Sequence, residues 1–141
     1  MHKILVAVDG SASALRALDA ILARVADLKS GAELHLVNVQ YPLHGEVASF
    51  IDAAQIKQYH QEEGDRALAE AVQKVAAAGV PYVAKVRVGR PEQSLLEYVK
   101  EQGCSEMVLG AQGVGSFSSM LMGSVATKIL HVSPCPVLLV R

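Results

Sequence analysis

Three glycines and one carboxylate stand where this chain could do chemistry. Gly110 and Gly113 lie three apart just after the apolar run Val108-Leu109, and after nine further residues Gly123-Ser124-Val125 opens a stretch with helical periodicity. Glycine lacks a Cβ, so its backbone reaches positive φ and lets other atoms approach closely. A helix start adds unpaired N–H groups and a partial positive charge. Together they make a seat for a phosphate held by the main chain, most simply that of a nucleotide. Far upstream, Asp9-Gly10-Ser11 ends a second apolar run, Ile4 to Val8. The loop is not a Walker A sequence, since no Gly-Lys-Ser/Thr occurs, and residue 118, which would complete Gly-x-Gly-x-x-Gly from Gly113, is Ser. A dinucleotide oxidoreductase is therefore disfavoured.

The elements that must position these residues can be read from periodicity. Ile4–Val8 is a continuous apolar run, as in a strand buried on both faces. Ser11 or Ser13 suits the cap of a following helix, with Leu15, Leu18, Leu22 and Val25 on its apolar side and Gly31 as its C′ residue. A second strand spans Glu33–Gln40, and Tyr41–Glu46 reads as a loop. A long helical pattern then runs from about Phe50 to Ala78, with Gly64 marking a bend. Tyr82–Val88 forms a third strand, Pro91 starts a helix that Gly103 stops, and Ser105–Leu109 forms a fourth strand. A helix from Gly123 to about Val132 and a last strand, Val137–Val140, complete the chain. Alternation of this kind predicts an α/β fold, a parallel sheet with helices on both faces. Ligands of such sheets bind beyond the carboxyl ends of the strands, where strand order reverses. Both Asp9 and Gly110 follow strands and so lie at carboxyl ends.

Composition removes several classes of function. With 51% apolar and 19% charged residues in 141, the chain suits one globular domain over residues 1–141 rather than disorder. A formal net charge of −1 without a basic stripe speaks against a nucleic-acid reader. No apolar run approaches the roughly 20 residues of a membrane helix. The strand pattern begins at Lys3 with no leader before it, and Cys104 and Cys135 form no metal-spaced cluster, so a cytoplasmic setting is expected.

The spacing Gly110-x2-Gly113-x9-Gly123-Ser124 resembles the nucleotide-binding signature of the universal stress proteins. The opening Ile4–Ser11, the segment Val86-Arg87-Val88-Gly89-Arg90-Pro91 and the ending Pro134–Arg141 are similar to the same family, in order along the whole chain. The resemblance implies a three-layer fold of the adenine nucleotide alpha hydrolase-like type, with a five-stranded parallel sheet in the order 3-2-1-4-5. It implies a cytoplasmic stress-response protein of the ATP-binding branch, commonly a homodimer. By position, Asp9 would hold the ribose or a metal such as Mg²⁺, and Gly10 and Ser11 would lie beside the nucleoside. Val39 would meet the adenine edge through its backbone, and Gly110, Gly113, Gly123, Ser124 and Val125 would wrap ribose and phosphates. Members that bind ATP often carry Arg or Lys between the second and third glycines. Here Val114–Met122 has none, so phosphate must be held by N–H groups, hydroxyls or Mg²⁺, and AMP or ADP stands beside ATP as the expected ligand.

Each feature also has a plainer role. The glycine loop suits a tight turn, Asp9 a helix cap and Ser124 an N-cap. His2, His35, His44, His60 and His131 read as satisfied surface or core residues, and the two cysteines as packed thiols. Of the two expected edge strands, the third carries Lys85 and Arg87, whereas the fifth, Val137–Val140, is bare and apolar. A two-fold dimer along the fifth strand is expected from that contrast. The expected function is an adenine-nucleotide-binding regulator that shows a changed surface to a protein partner, with at most weak ATP hydrolysis or autophosphorylation and no assigned catalytic residue. A slow ATPase or phosphotransferase using Ser116 or Ser118, and a nucleotide-free dimeric interaction module, are the rivals.

Overall fold

A computed structural model describes residues 1–112 and 123–141. Five strands, β1 (His2–Ala7), β2 (Ala32–Gln40), β3 (Tyr82–Val88), β4 (Glu106–Gly110) and β5 (Val137–Val140), pair in parallel in the order β3-β2-β1-β4-β5. Among the described residues five helices connect them: α1 (Ala12–Val25), α2 (Glu46–Ser49), α3 (Ala53–Ala78), α4 (Pro91–Gln102) and α5 (Ser124–Val132).

Side chains alternate across a strand, so each strand feeds two cores. Ile4, Val6, Leu34 and Leu36 pack with Leu18 and Ile21 of α1 and Leu68 and Val75 of α3. On the other face Leu5, Val37, Met107 and Leu109 pack with Leu95 and Tyr98 of α4 and Ile129 of α5. The chain runs outward from β1 through β2 to β3, then crosses by α4 to β4 on the opposite side of β1. The reversal of strand order therefore lies between β1 and β4.

Two close approaches set the helices at their depth. A Cβ at Gly110 would lie 2.5 Å from Ser13 Oγ and 2.8 and 2.9 Å from the Ser13 carbonyl carbon and oxygen, so α1 rests directly on the end of β4. A Cβ at Gly64 would run into the methyl groups of Val86, which explains this glycine within α3: it serves contact with β3, and α3 continues through it as one helix.

Three helix boundaries differ from the sequence expectation, and β1, β2 and β4 depart from it by one or two residues. α1 ends at Val25 rather than near Gly31, because the chain tightens into i→i+3 bonds: the Asp27 N–H donates to the Arg24 carbonyl and the Leu28 N–H to that of Val25. Gly31, at φ +72°, instead turns the chain into β2, and its carbonyl accepts from the His2 N–H. α3 starts at Ala53 rather than Phe50, where Asp52 and Gln55 form a reciprocal capping box, and the short α2 follows the expected loop, sharing only Glu46 with it. At α5, Gly123 is the N-cap and Ser124 the first helical residue, so Ser124 is not the cap.

Candidate functional site

The carboxyl end of β1 is built by one ladder bond and two bonds within the turn that follows. The Val8 N–H donates to the Val37 carbonyl at 2.9 Å, the last rung against β2. The chain then turns at Gly10, at φ +84°, a conformation that favours glycine. Asp9 Oδ1 accepts from the Ser11 N–H at 2.9 Å, and Ser11 Oγ accepts from the Ala14 N–H at 3.2 Å, capping α1. Both side chains thus fix the turn that aims the Asp9 segment.

The end of β4 lies beside it. The Ala111 N–H donates to the Val140 carbonyl, and the Gln112 N–H to Ser13 Oγ at 3.2 Å. The Gly123 N–H returns to the Ala111 carbonyl, so the chain leaving β4 and the chain entering α5 meet. No side chain of the described residues caps α5, and its first-turn amides begin at this junction.

A crevice of about 550 Å³ opens between these ends. That is within the range of roughly 300–1,000 Å³ usual for small-molecule sites. Ala7, Val37, Val39, Leu95, Leu109 and Val125 give it apolar walls, Pro91 and Tyr41 stand on its α4 and β2 sides, and Asn38, Gln40 and Gln112 supply amides. Asp9 is the one charged residue on its wall among the described residues. Among the described residues the only acid on the crevice wall is thus a carboxylate already accepting from Ser11, an arrangement suited to binding more than to proton transfer.

Of the residues singled out from the sequence, Asp9, Val39, Gly110, Gly123, Ser124 and Val125 come together on this wall. Gly10 and Ser11 do not line it: a Cβ on Gly10 would meet Ala67 of α3 at 3.7 Å, and Ser11 is occupied in capping. Gly113, like Ser116 and Ser118, lies outside the described residues. Sequence reasoning missed Asn38, Gln40, Pro91 and Leu95. For Asn38 a signal existed, since an amide in the apolar run Leu34-His35-Leu36-Val37-Asn38-Val39 needs a reason to be buried.

The remaining polar groups near the helices fall into two kinds. Glu92, next to Pro91, has its carboxyl held below the usual range chiefly by a backbone N–H at the start of α4, and secondarily by Lys128 of α5 at 3.4 Å. Cys104 is pushed the other way, to about 11, by burial and then by the neighbouring Cys135. His35 is a satisfied core histidine, 2.7 Å from both Tyr98 Oη and Glu33 Oε1. His60 corrects the expectation for the histidines: it is buried in α3 with neither ring nitrogen hydrogen-bonded among the described residues. Arg87 leans away from the sheet edge, stacking over Tyr98 and pairing with Glu101 at 3.0 Å.

The universal stress protein family model matches residues 1–141. The chain belongs to the universal stress protein family. Universal stress protein YxiE of Bacillus subtilis (strain 168) is 35% identical over 153 aligned positions, covering 99% of each chain. Among solved structures, universal stress protein UspA from Lactobacillus plantarum superposes with a TM-score of 0.82 over 99% of this chain and 97% of its own, at 21% identity, a likeness of fold. A universal stress protein in complex with cAMP is 27% identical, with a TM-score of 0.73 and coverage of 99% and 97%. The parallel sheet in the order 3-2-1-4-5 expected from the family resemblance is thus the observed one. Among the described residues no helix of this universal stress protein is long and apolar enough to cross a membrane.

Proposed function

We propose that the crevice binds an adenine nucleotide, ATP, ADP or AMP, and that this universal stress protein acts as a cytoplasmic regulator whose occupancy alters the surface a protein partner reads. One observation carries the reading: apolar walls, the half-buried carboxyl end of β2 at Val39 and the start of α5, without a side-chain cap from the described residues, meet in one crevice large enough for a nucleotide. The relative of 27% identity solved with cAMP supports the adenine class. In this reading adenine lies between Val37, Val39 and Leu95, with its edge on the Val39 backbone. Phosphates lie at Gly110, Gly123, Ser124 and Val125, with Gly113 completing the loop, and Gly10 and Ser11 support the nucleoside side through the turn they build.

Magnitudes divide the work between base and phosphates. Each helix-end contact with an anion is worth roughly 0.3–1 kcal/mol, whereas micromolar binding needs about 8 kcal/mol. Without a cation on the described wall, burial of the base supplies much of the difference. Mg²⁺ fits only together with the nucleotide. Asp9 offers one carboxylate, and the described residues hold no cluster of three His, Cys, Asp or Glu, which suits a Mg²⁺ shared between one carboxylate and phosphate oxygens. Such an ion would neutralise phosphate charge at Asp9.

The second part of the reading is a homodimer along β5, an edge strand of Val137–Val140 that is uncharged and half-buried. Mass spectrometry of protein denatured straight after purification, with calorimetric titration of AMP, ADP and ATP with and without Mg²⁺, tests the ligand. Adenine nucleotide near one per chain, or micromolar binding, is expected. No nucleotide and no heat with any of the three would sink the reading. Sedimentation at micromolar protein is expected to give twice the chain mass, and a single chain mass would remove the dimer.

A further inference from the structure

We infer that Asn38 is a positioning residue that keeps the Val39 backbone open for the edge of the bound base; this rests on the adenine-nucleotide reading above.

In a parallel ladder, the N–H and C=O of one residue point to the same neighbour, and successive residues alternate sides. The Leu34 N–H donates to the Pro81 carbonyl and the Gln40 carbonyl accepts from the Gly89 N–H, so even-numbered residues of β2 address β3. The Val37 carbonyl accepts from the Val8 N–H, so Val37 and Val39 address β1. The pairing of β1 with β2 ends at Ala7 and Val37. Regular continuation would send the Val39 N–H to the Val8 carbonyl, but that bond is absent among the described residues.

The Asn38 side chain takes its place. Asn38 Nδ2 donates to the Val8 carbonyl at 2.8 Å, and Asn38 Oδ1 accepts from Gln40 Nε2 at 2.7 Å. The second bond fixes which end of the amide faces Val8, and Asn38 is only 3% exposed, so the arrangement is held inside the protein. The cost of burying the amide is offset because its bonds are made. The consequence is local: with the Val8 carbonyl satisfied, the ladder stops one rung early. The Val39 N–H and C=O are left side by side on the crevice wall, a donor next to an acceptor. Adenine presents the complement, N1 as acceptor beside the 6-amino donor. Guanine presents the reverse, an N1–H donor beside the O6 acceptor, and is mismatched to the same pair.

The test pairs a substitution with a deleted ligand atom. Asn38→Leu keeps much of the shape and removes the donor; Asn38→Ala serves if the leucine variant does not fold. The probes are AMP and 1-deaza-AMP, which lacks the N1 acceptor, and amide exchange of Val39 by NMR is followed without nucleotide. In the parent protein, removing N1 is expected to weaken binding about five- to tenfold, the weight of one hydrogen bond, and the Val39 amide exchanges rapidly. In the variant, AMP binds more weakly, the N1 penalty falls below about twofold, and the Val39 amide gains protection as it turns to the Val8 carbonyl. A role in folding alone would weaken both probes equally. An N1 penalty that survives the substitution, or an unchanged Val39 exchange rate, overturns the inference. If AMP does not bind the parent protein, the nucleotide reading fails, and Val39 exchange alone decides whether Asn38 holds that amide open.

Discussion

The two ends of this sheet are made of the same backbone chemistry and finish it differently. At the amino end the incoming chain is tied down by its own peptide groups: His2 to Gly31, Leu34 to Pro81, Ser105 to Lys3 and Met107 to Pro136. At the carboxyl end β1 stops short of β2, a side-chain amide replaces the next rung, and α5 starts without a side-chain cap from the described residues. A closed end contributes stability, whereas an open end contributes polar groups aimed at a cavity. The titratable groups follow the same division. Cys104, at the amino end, is raised by burial, and Glu92, at the start of a helix on the carboxyl side, is lowered by a backbone N–H.

The largest effect expected from breaking this contrast is on stability at the carboxyl end. Gly110→Val drives a side chain into the Ser13 backbone, at 2.8 and 2.9 Å for its Cβ alone. It should destabilise by about 3 kcal/mol or more, since the clash is with backbone and cannot be relieved by a rotamer. Gly31→Ala at the amino end has open space, with nothing within 4 Å, and meets only the strain of φ +72°. It should cost about 1–2 kcal/mol. Urea unfolding of both variants measures the difference. Equal losses would mean that α1 does not need its close seat on β4.

A smaller effect, confined to binding, is expected at the start of α5. Gly123→Ala places a methyl at the N-cap, where φ is −61° and alanine is unstrained, so unfolding should shift by less than about 1 kcal/mol. Affinity for ATP should fall about tenfold by calorimetry if phosphate sits against these amides. Unchanged affinity would move the phosphates away from α5 while leaving the base site intact.

The smallest effects are in the pH dependence, where the two ends should separate. Cys104 has a folded pKa of about 11, above its ordinary 9.0, so the folded state retains a proton that the unfolded chain loses. Its contribution is complete below pH 9 and is lost as pH rises towards 11. Glu92 is shifted down from 4.5, so its contribution is present above that pH and is lost as pH falls through the lower folded value. Stability measured against pH should show a shallower alkaline slope in Cys104→Ala and a shallower acid slope in Glu92→Gln. If either slope matches the parent, the group named does not govern that limb.

Much of the fold was legible because it rests on neighbours in sequence. Periodicity located each strand and main helix, Pro91 and Gly103 bounded α4 as expected, and β3 and β5 match their expected limits. The errors lie where a short-range signal was ambiguous. Gly31 looks like a helix stop but serves the turn into β2, and Gly64 looks like a bend but admits Val86. The crevice was legible in part for the same reason. Asp9, Gly110 and Gly123 announce themselves by residue type at strand and helix ends, whereas Leu95 and Pro91 are ordinary helix residues that reach the wall only because α4 crosses that end of the sheet.

By itself the sequence determined which segments are strands and helices, the family, and the glycine and carboxylate positions at their ends, because local propensity, hydrophobic periodicity and residue spacing are written residue by residue. The tertiary structure alone decided that Ser13 meets Gly110, that Val86 meets Gly64, and that Asn38 rather than Val39 takes the Val8 carbonyl. Those outcomes depend on where strands distant in the chain end relative to one another. A difference of one rung, invisible in either segment read separately, determines whether a peptide group closes the sheet or faces the crevice.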